Sequence, residues 1–359
     1  MKYFNLIIAL LLCSSWIATA GPADKYKKTK RINKTYNVNS DVLVDIENSF
    51  GDVTFELWNQ NSVSIEVVVE VSGNNEESVN DRLRMIDVQF SASSSKVSAE
   101  SEIPNENTSF FGLFGSGSKT NTHVDYVVKM PMNSAVDVEN DYGAVIIKKM
   151  NGPLTLSCDF GRLQIGQLLN RENELSFDYT ENSNIDYMKA GTIKADFSKF
   201  HLYGADQVNF SGDYTTARFG PAKQLKYNSD FSTIKIENAG TIDGRGDYST
   251  VTIEKFENSA DLKASFGKMT VNDLASGFKS LTIKSDYTTV QVKYTGNVPY
   301  DYEISTEFGS LKLGSGLNTV DSRKESTESY KQGYNVTGNS GSRVEINSSF
   351  GSVTLKSNN

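Results

Sequence analysis

The side chains best placed for chemistry are acids that recur immediately before an aromatic residue. Asp141, Asp159, Asp178, Asp196, Asp213, Asp230, Asp247 and Asp286 follow this rule, with Glu307 as a variant. Carboxylates repeated at fixed spacing could hold Ca²⁺ between neighbouring segments, because hard cations take oxygen ligands. Two facing acids could also cleave a glycosidic bond. The plainer role is an Asx-type turn, in which the carboxylate accepts the backbone N–H two residues on and fixes a bend. Ser49, Ser265 and Ser349 take the same position. A hydroxyl can make that turn bond but would weaken a cation site, so the turn is the preferred reading and no metal is expected.

Other constellations fall short. The two histidines, His123 and His201, are 78 residues apart, and neither HExxH nor GxSxG occurs. The stretch Gly112–Thr120 (GLFGSGSKT) misses a phosphate loop because Ser118 is inserted before Lys119 and no helical pattern follows. No adjacent Asp pair and no Gly-His-Gly appears, as a β-helical polysaccharide enzyme would lead one to expect. Cys158, inside an alternating segment, reads as a small buried residue. No catalytic residue and no cofactor is expected.

The acids belong to a repeat. An aromatic anchor follows each acid or serine, then Gly, Ser or Thr, then alternating apolar residues. The anchors are Phe50, Tyr142, Phe160, Tyr179, Phe197, Tyr214, Phe231, Tyr248, Phe266, Tyr287, Phe308 and Phe350. From Tyr142 to Phe308 their spacings are 18, 19, 18, 17, 17, 17, 18, 21 and 21, and Tyr and Phe alternate throughout. Apolar residues alternate on both sides of an anchor, as with Leu154 and Leu156 before Phe160 and Leu163 and Ile165 after it. Period two means two short strands around a bend, each with one buried face. Such a unit buries little alone and a continuous column when stacked.

The expected fold is therefore all-β, a parallel β-solenoid of about 18-residue units, each layer adding about 4.8 Å. The anchors are expected as an internal stack, with an exposed ladder for sugars as the other reading. Alternation of Tyr and Phe leaves open one unit per layer or two.

The units IENSFGDVTFELW, VDVENDYGAVIIKKM and VEINSSFGSVTLKS resemble the β-strand-repeat "putative adhesin" proteins of bacterial envelopes, of the Bacteroidetes type. The resemblance covers nearly all of the chain after its leader. It implies a right-handed β-solenoid, secreted or envelope-associated, with no defined biochemistry and no catalytic residues.

Residues 1–20 read as a secretory signal peptide: Lys2, the apolar run Leu6 to Leu12, and Ala18-Thr19-Ala20 before the expected cleavage. Cleavage removes Lys2 and no acid, so the net charge of −8 becomes −9. Cys13 also leaves, so Cys158 remains alone and no intrachain disulfide is possible. The remainder carries no transmembrane segment. The basic run Lys25, Lys27, Lys28, Lys30, Arg31 and Lys34 reads as a solvated leader, with an anionic-surface tether as the alternative. Residues 21–135 read as a diverged first repeat plus a cap of strands and one helix over Asn75–Ile86. Residues 136–359 read as the repeats proper, with an irregular insertion at 314–343. Phe110, Phe111 and Phe114 form a candidate contact loop, with a collapsed cap core as the other reading.

The acid excess, 44 against 36, excludes nucleic acid as the main partner. The expected function is a non-enzymatic secreted or envelope protein that binds a surface, glycan or protein. The alternatives are a β-helix enzyme acting on acidic polysaccharide and a purely structural rod.

Overall fold

The computed structural model describes residues 24–104 and 119–358. The leader with Cys13, the loop carrying Phe110, Phe111 and Phe114, and most of the near-miss phosphate loop lie outside the described residues.

Each repeat folds as the alternation dictates. In the strand Leu154–Asp159, Leu154, Leu156 and Cys158 point inward; after Phe160, Leu163, Ile165 and Leu168 of Arg162–Leu168 do the same. The next unit returns parallel beside this one. Leu156 faces Leu175, and Ile165 faces Ile185. There is thus one repeat per layer. Equivalent residues then line up for many layers: Ala217, Ile234, Val251, Met269, Val290 and Val353 run opposite one another on one wall. Leu225, Ile242, Ala260, Leu281 and Val344 do so on the other. Fully burying each such Ile, Leu or Val contributes about 1.5–3 kcal/mol. Interior aromatics fill several layers. Phe200 meets Phe177 edge-on at 5.5 Å and Phe219 at 5.7 Å. Gly244 makes room for buried Tyr227, whose ring lies 2.2 Å from where a Cβ would stand.

At one end, Leu43–Ser49 and Val53–Trp58 flank Phe50 and pair in parallel with the layer of Tyr142. Beyond them the pattern turns antiparallel. Thr120–Pro131 pairs with Val53–Trp58, Ser62–Gly73 runs antiparallel to it, and Tyr26–Asn37 covers that strand. The helix Glu76–Met85 is capped by Asn75, whose side chain accepts the Ser78 N–H at 2.9 Å, and buries Val79. Its acids open the first turn and Arg82 and Arg84 close the last, in accord with the helix dipole. The basic run is not a solvated leader. It is the strand Tyr26–Asn37, and Lys27, Lys28, Lys30 and Arg31 pair with Glu70, Glu76, Asp87 and Glu66. Such exposed pairs are worth up to about 1 kcal/mol each, so the strand is held chiefly by its ladder to Ser62–Gly73.

At the other end chain order and spatial order part. Ser280–Asp286 pairs not with Tyr300–Glu307 but with Arg343–Ser349, which in turn pairs with Tyr300–Glu307. Thr289–Tyr294, Ser352–Ser357 and Ser310–Leu313 show the same order. The layer of Phe350 is therefore wedged between those of Tyr287 and Phe308. The expected irregular segment is largely an antiparallel hairpin. Glu328–Asn335 lies on Tyr300–Glu307, and Asn318–Lys324 lies on Glu328–Asn335. The sheet is thus mixed, with thirty strands and one helix among the described residues.

The wedged layer should be structurally central. Ile346→Ala is expected to cost about 2–5 kcal/mol in denaturant unfolding, matching Ile234→Ala in the middle of the stack. A much smaller loss at Ile346 would mean that this layer is a frayed end.

Candidate functional site: an exposed aromatic ladder

The corners place the anchors. In the repeat around Phe231, inward residues run Leu225, Tyr227 and Ser229 before the corner, then Ser232, Ile234 and Ile236 after it. Two residues, Asp230 and Phe231, stand between the two inward series and both face out. The backbone makes this step by entering the left-handed region at the anchor. All twelve anchors have φ between 44° and 64°. The expectation of an internal stack is overturned: the anchors are 42–54% exposed.

They nevertheless stack. In spatial order the column runs Phe50, Tyr142, Phe160, Tyr179, Phe197, Tyr214, Phe231, Tyr248, Phe266, Tyr287, Phe350, Phe308. Neighbouring ring centroids lie 4.7–5.1 Å apart and planes differ by 2–7°. Spacing by one strand forces this, since equivalent side chains in register sit one strand separation apart. Each ring covers its neighbour's face, so the ladder presents ring edges along its length.

The acids act differently from the turn expected. Six of the carboxylates reach the next layer rather than their own bends, whereas Asp286 Oδ1 is buried with no hydrogen-bond partner. Asp159 Oδ1 accepts the Asp178 N–H at 3.1 Å, Asp178 that of Asp196 at 2.9 Å, and Asp196 that of Asp213 at 2.8 Å. Asp213, Asp230 and Asp247 continue the series, ending on the Ser265 N–H. Asp141 lies beside Ser49, and Asp286 beside Ser265 and Ser349, in the same row. The anchor N–H donates to the acid carbonyl of the next layer, as Phe231 does to Asp247 at 2.9 Å. Inside the corner a hydroxyl row completes the bonding. The N–H groups of Ser198, Thr215 and Ser232 donate to the hydroxyls of Thr215, Ser232 and Ser249. Where glycine replaces the hydroxyl residue the backbones close in: a Cβ on Gly143 would sit 1.8 Å from the Gly51 carbonyl oxygen.

Burial, with the charges of Asp196 and Asp159 adding, pushes the Asp178 carboxyl above its ordinary range, against the pull of the Asp196 N–H. Burial pushes the Cys158 thiol up to about 12. His201 stacks on Tyr203, and burial lowers its pKa; His123 lies opposite Glu70 in the cap, so the two histidines share no site. Among the described residues, no group of three His, Cys, Asp or Glu side chains is arranged to hold a metal.

Two grooves border the ladder. One, of about 380 Å³, is lined by Tyr142, Phe160 and Tyr179 with Asp52, Arg162 and Glu181. The other, of about 980 Å³, lies between the sheet and the hairpin containing Arg323 and Tyr330. Its floor carries Arg245, Lys263 and Lys284 in register on adjacent strands. The row before the anchors, Asp247, Ser265 and Asp286, runs beside these cations. The segment flagged as irregular thus forms a groove wall, which required the wedged pairing and had no signal in the repeat.

Two measurements check this account. Removal of divalent cations with EDTA should leave the melting temperature unchanged, because backbone N–H groups already bond six carboxylates of the row; a fall of several degrees reversed by Ca²⁺ would overturn it. The raised Cys158 pKa favours the folded state below the ordinary thiol value of 9.0, and this contribution fades as pH climbs from there toward about 12. A disulfide reagent at pH 8 should therefore leave the native thiol unmodified and react once urea unfolds the chain.

No family model matches the chain, and no curated protein matches it. Solved structures similar to it include a "putative lipid binding protein" from Parabacteroides distasonis. That structure is 10% identical over 93% of this chain and 98% of its own, with a TM-score of 0.32. A "putative adhesin" from Parabacteroides merdae is 10% identical over 74% and 89%, with a TM-score of 0.29. A "putative cell adhesion protein" from Clostridium sporogenes is 12% identical over 92% and 100%, with a TM-score of 0.18. Likeness at this level assigns neither family nor activity.

Proposed function

We propose that the chain is an exported, non-enzymatic binding protein of the cell envelope, built as a right-handed β-solenoid, whose contact surface is the aromatic ladder. The observation that carries this reading is the ladder's exposure. Taking about half of the 150–250 Å² that a Phe or Tyr can bury, twelve rings expose roughly 1,000 Å² in one stripe. Soluble proteins seldom show contiguous apolar patches above about 300–600 Å² unless something binds there.

Backbone cost points the same way. A left-handed conformation costs a bulky residue about 1–2 kcal/mol, whereas glycine adopts it freely. Stacking returns about 0.5–1.5 kcal/mol per ring pair, so the aromatic column roughly breaks even for stability. Glycine would serve the corner as well, and the repeated choice of Tyr and Phe supports a role in contact.

The test is retention of the purified protein on insoluble polysaccharides and on isolated cell envelopes, with reducing ends measured in parallel. Tyr214→Asn, Phe231→Asn and Tyr248→Asn combined keep a residue type that tolerates the left-handed region. This variant should bind at least about tenfold more weakly, the 1.4 kcal/mol that losing a few ring contacts would remove. Release of new sugar ends from polyuronides would instead support the enzymatic alternative. Protein recovered from outside the cytoplasm should begin at Gly21; an intact leader would contradict export.

A further inference from the structure

We infer that the ladder segment Tyr214–Phe231–Tyr248 is a binding site for flat, elongated organic cations laid along the stack. This rests on the ladder being a contact surface and names the chemistry it selects.

The three layers share one composition. On one flank stand Asp213, Asp230 and Asp247, and on the other Thr216, Thr233 and Thr250, in register on adjacent strands. Neither row carries a basic side chain over these layers; Arg218 and Lys235 stand two residues beyond the threonines, and Arg245 two residues before Asp247, on the same outward faces. Lys199 and Lys268 bracket them in the threonine row. The rings are 49–54% exposed, and their centroids lie 4.8–4.9 Å apart with planes within 4°.

Shape follows from the stacking. Neighbours cover the ring faces, so a sugar cannot lie on a face as it would on an isolated aromatic. What remains open is a straight strip of ring edges with no feature across it. A ligand gains contact in proportion to the length it lays along that strip, which favours a flat rod.

Charge follows from the acid row. Two unit charges in water interact by about RT at roughly 7 Å, and this row places a carboxylate about every 4.8 Å. Each carboxylate already has one oxygen held by a backbone N–H, at 2.9 Å for Asp213, 2.7 Å for Asp230 and 3.0 Å for Asp247. These acids adjoin the rings directly, whereas Arg218, Lys235 and Arg245 stand farther along the strands, so the strip itself draws cations.

Thioflavin T, a flat rod-shaped cation that brightens when immobilised, is the probe. The full chain should bind it saturably, and added salt should weaken binding. Asp213→Asn, Asp230→Asn and Asp247→Asn together keep the N–H acceptors and remove the charge. They should weaken binding about tenfold. The Tyr214→Asn, Phe231→Asn, Tyr248→Asn variant should abolish the signal while its circular dichroism stays native. Absence of a dye response would overturn the inference, as would equal binding of a disulfonated anionic azo dye or unchanged binding by the Asp→Asn variant. Ladder-dependent retention on solids without a dye response would sink this inference alone. Loss of both would sink the contact-surface reading itself.

Discussion

Everything in this molecule depends on a one-residue slip of phase at each corner. Two strands with inward alternation meet with an extra outward residue between them, and only a left-handed backbone accommodates the step. That single conformation turns the acid and the aromatic outward together. It turns the following Ser, Thr or Gly inward, where its hydroxyl or its missing side chain lets layers approach. The parallel registers, the carboxylate-to-backbone bonds and the ring column are all consequences of repeating that corner at one-strand spacing.

The corner also explains why polar chemistry here is so regular. Six carboxylates that accept backbone N–H groups are thereby held at one-strand spacing. The exceptional part of the surface lies near the hairpin, where Arg245, Lys263 and Lys284 align beneath Arg323 and Tyr330.

Much of this was legible in the sequence, and the failures have physical causes. Period and alternation identified the strands and the one-sided burial, because equivalent residues must face equivalent residues in a stack. The helix was readable from Asn75 and the charges that follow it. A break of phase at the anchors was also encoded: alternation counted forward from Leu225 reaches Phe231, and counted backward from Ile236 it reaches Asp230, so the two series cannot both run through the corner. Hydrophobicity argued for burial and hid that signal. The target of the carboxylates was not encoded locally, since Asp213 bonds a residue in the next layer. Nor was the placement of the Phe350 layer, because its strands match any neighbour equally well. The basic run misled because its partners, Glu66, Glu70, Glu76 and Asp87, are brought to it only by tertiary pairing.

The wedged layer bears on how the molecule responds to force. A terminal layer of a stack can be peeled one hydrogen bond at a time. The strands Arg343–Ser349 and Ser352–Ser357 instead have parallel neighbours on both sides, in the layers of Tyr287 and Phe308. A load applied through residue 357 and directed along Ser352–Ser357 must shear both of that strand's ladders together before it reaches the two of Arg343–Ser349. Tension entering there would be carried by the layers on both sides of it before that strand came free.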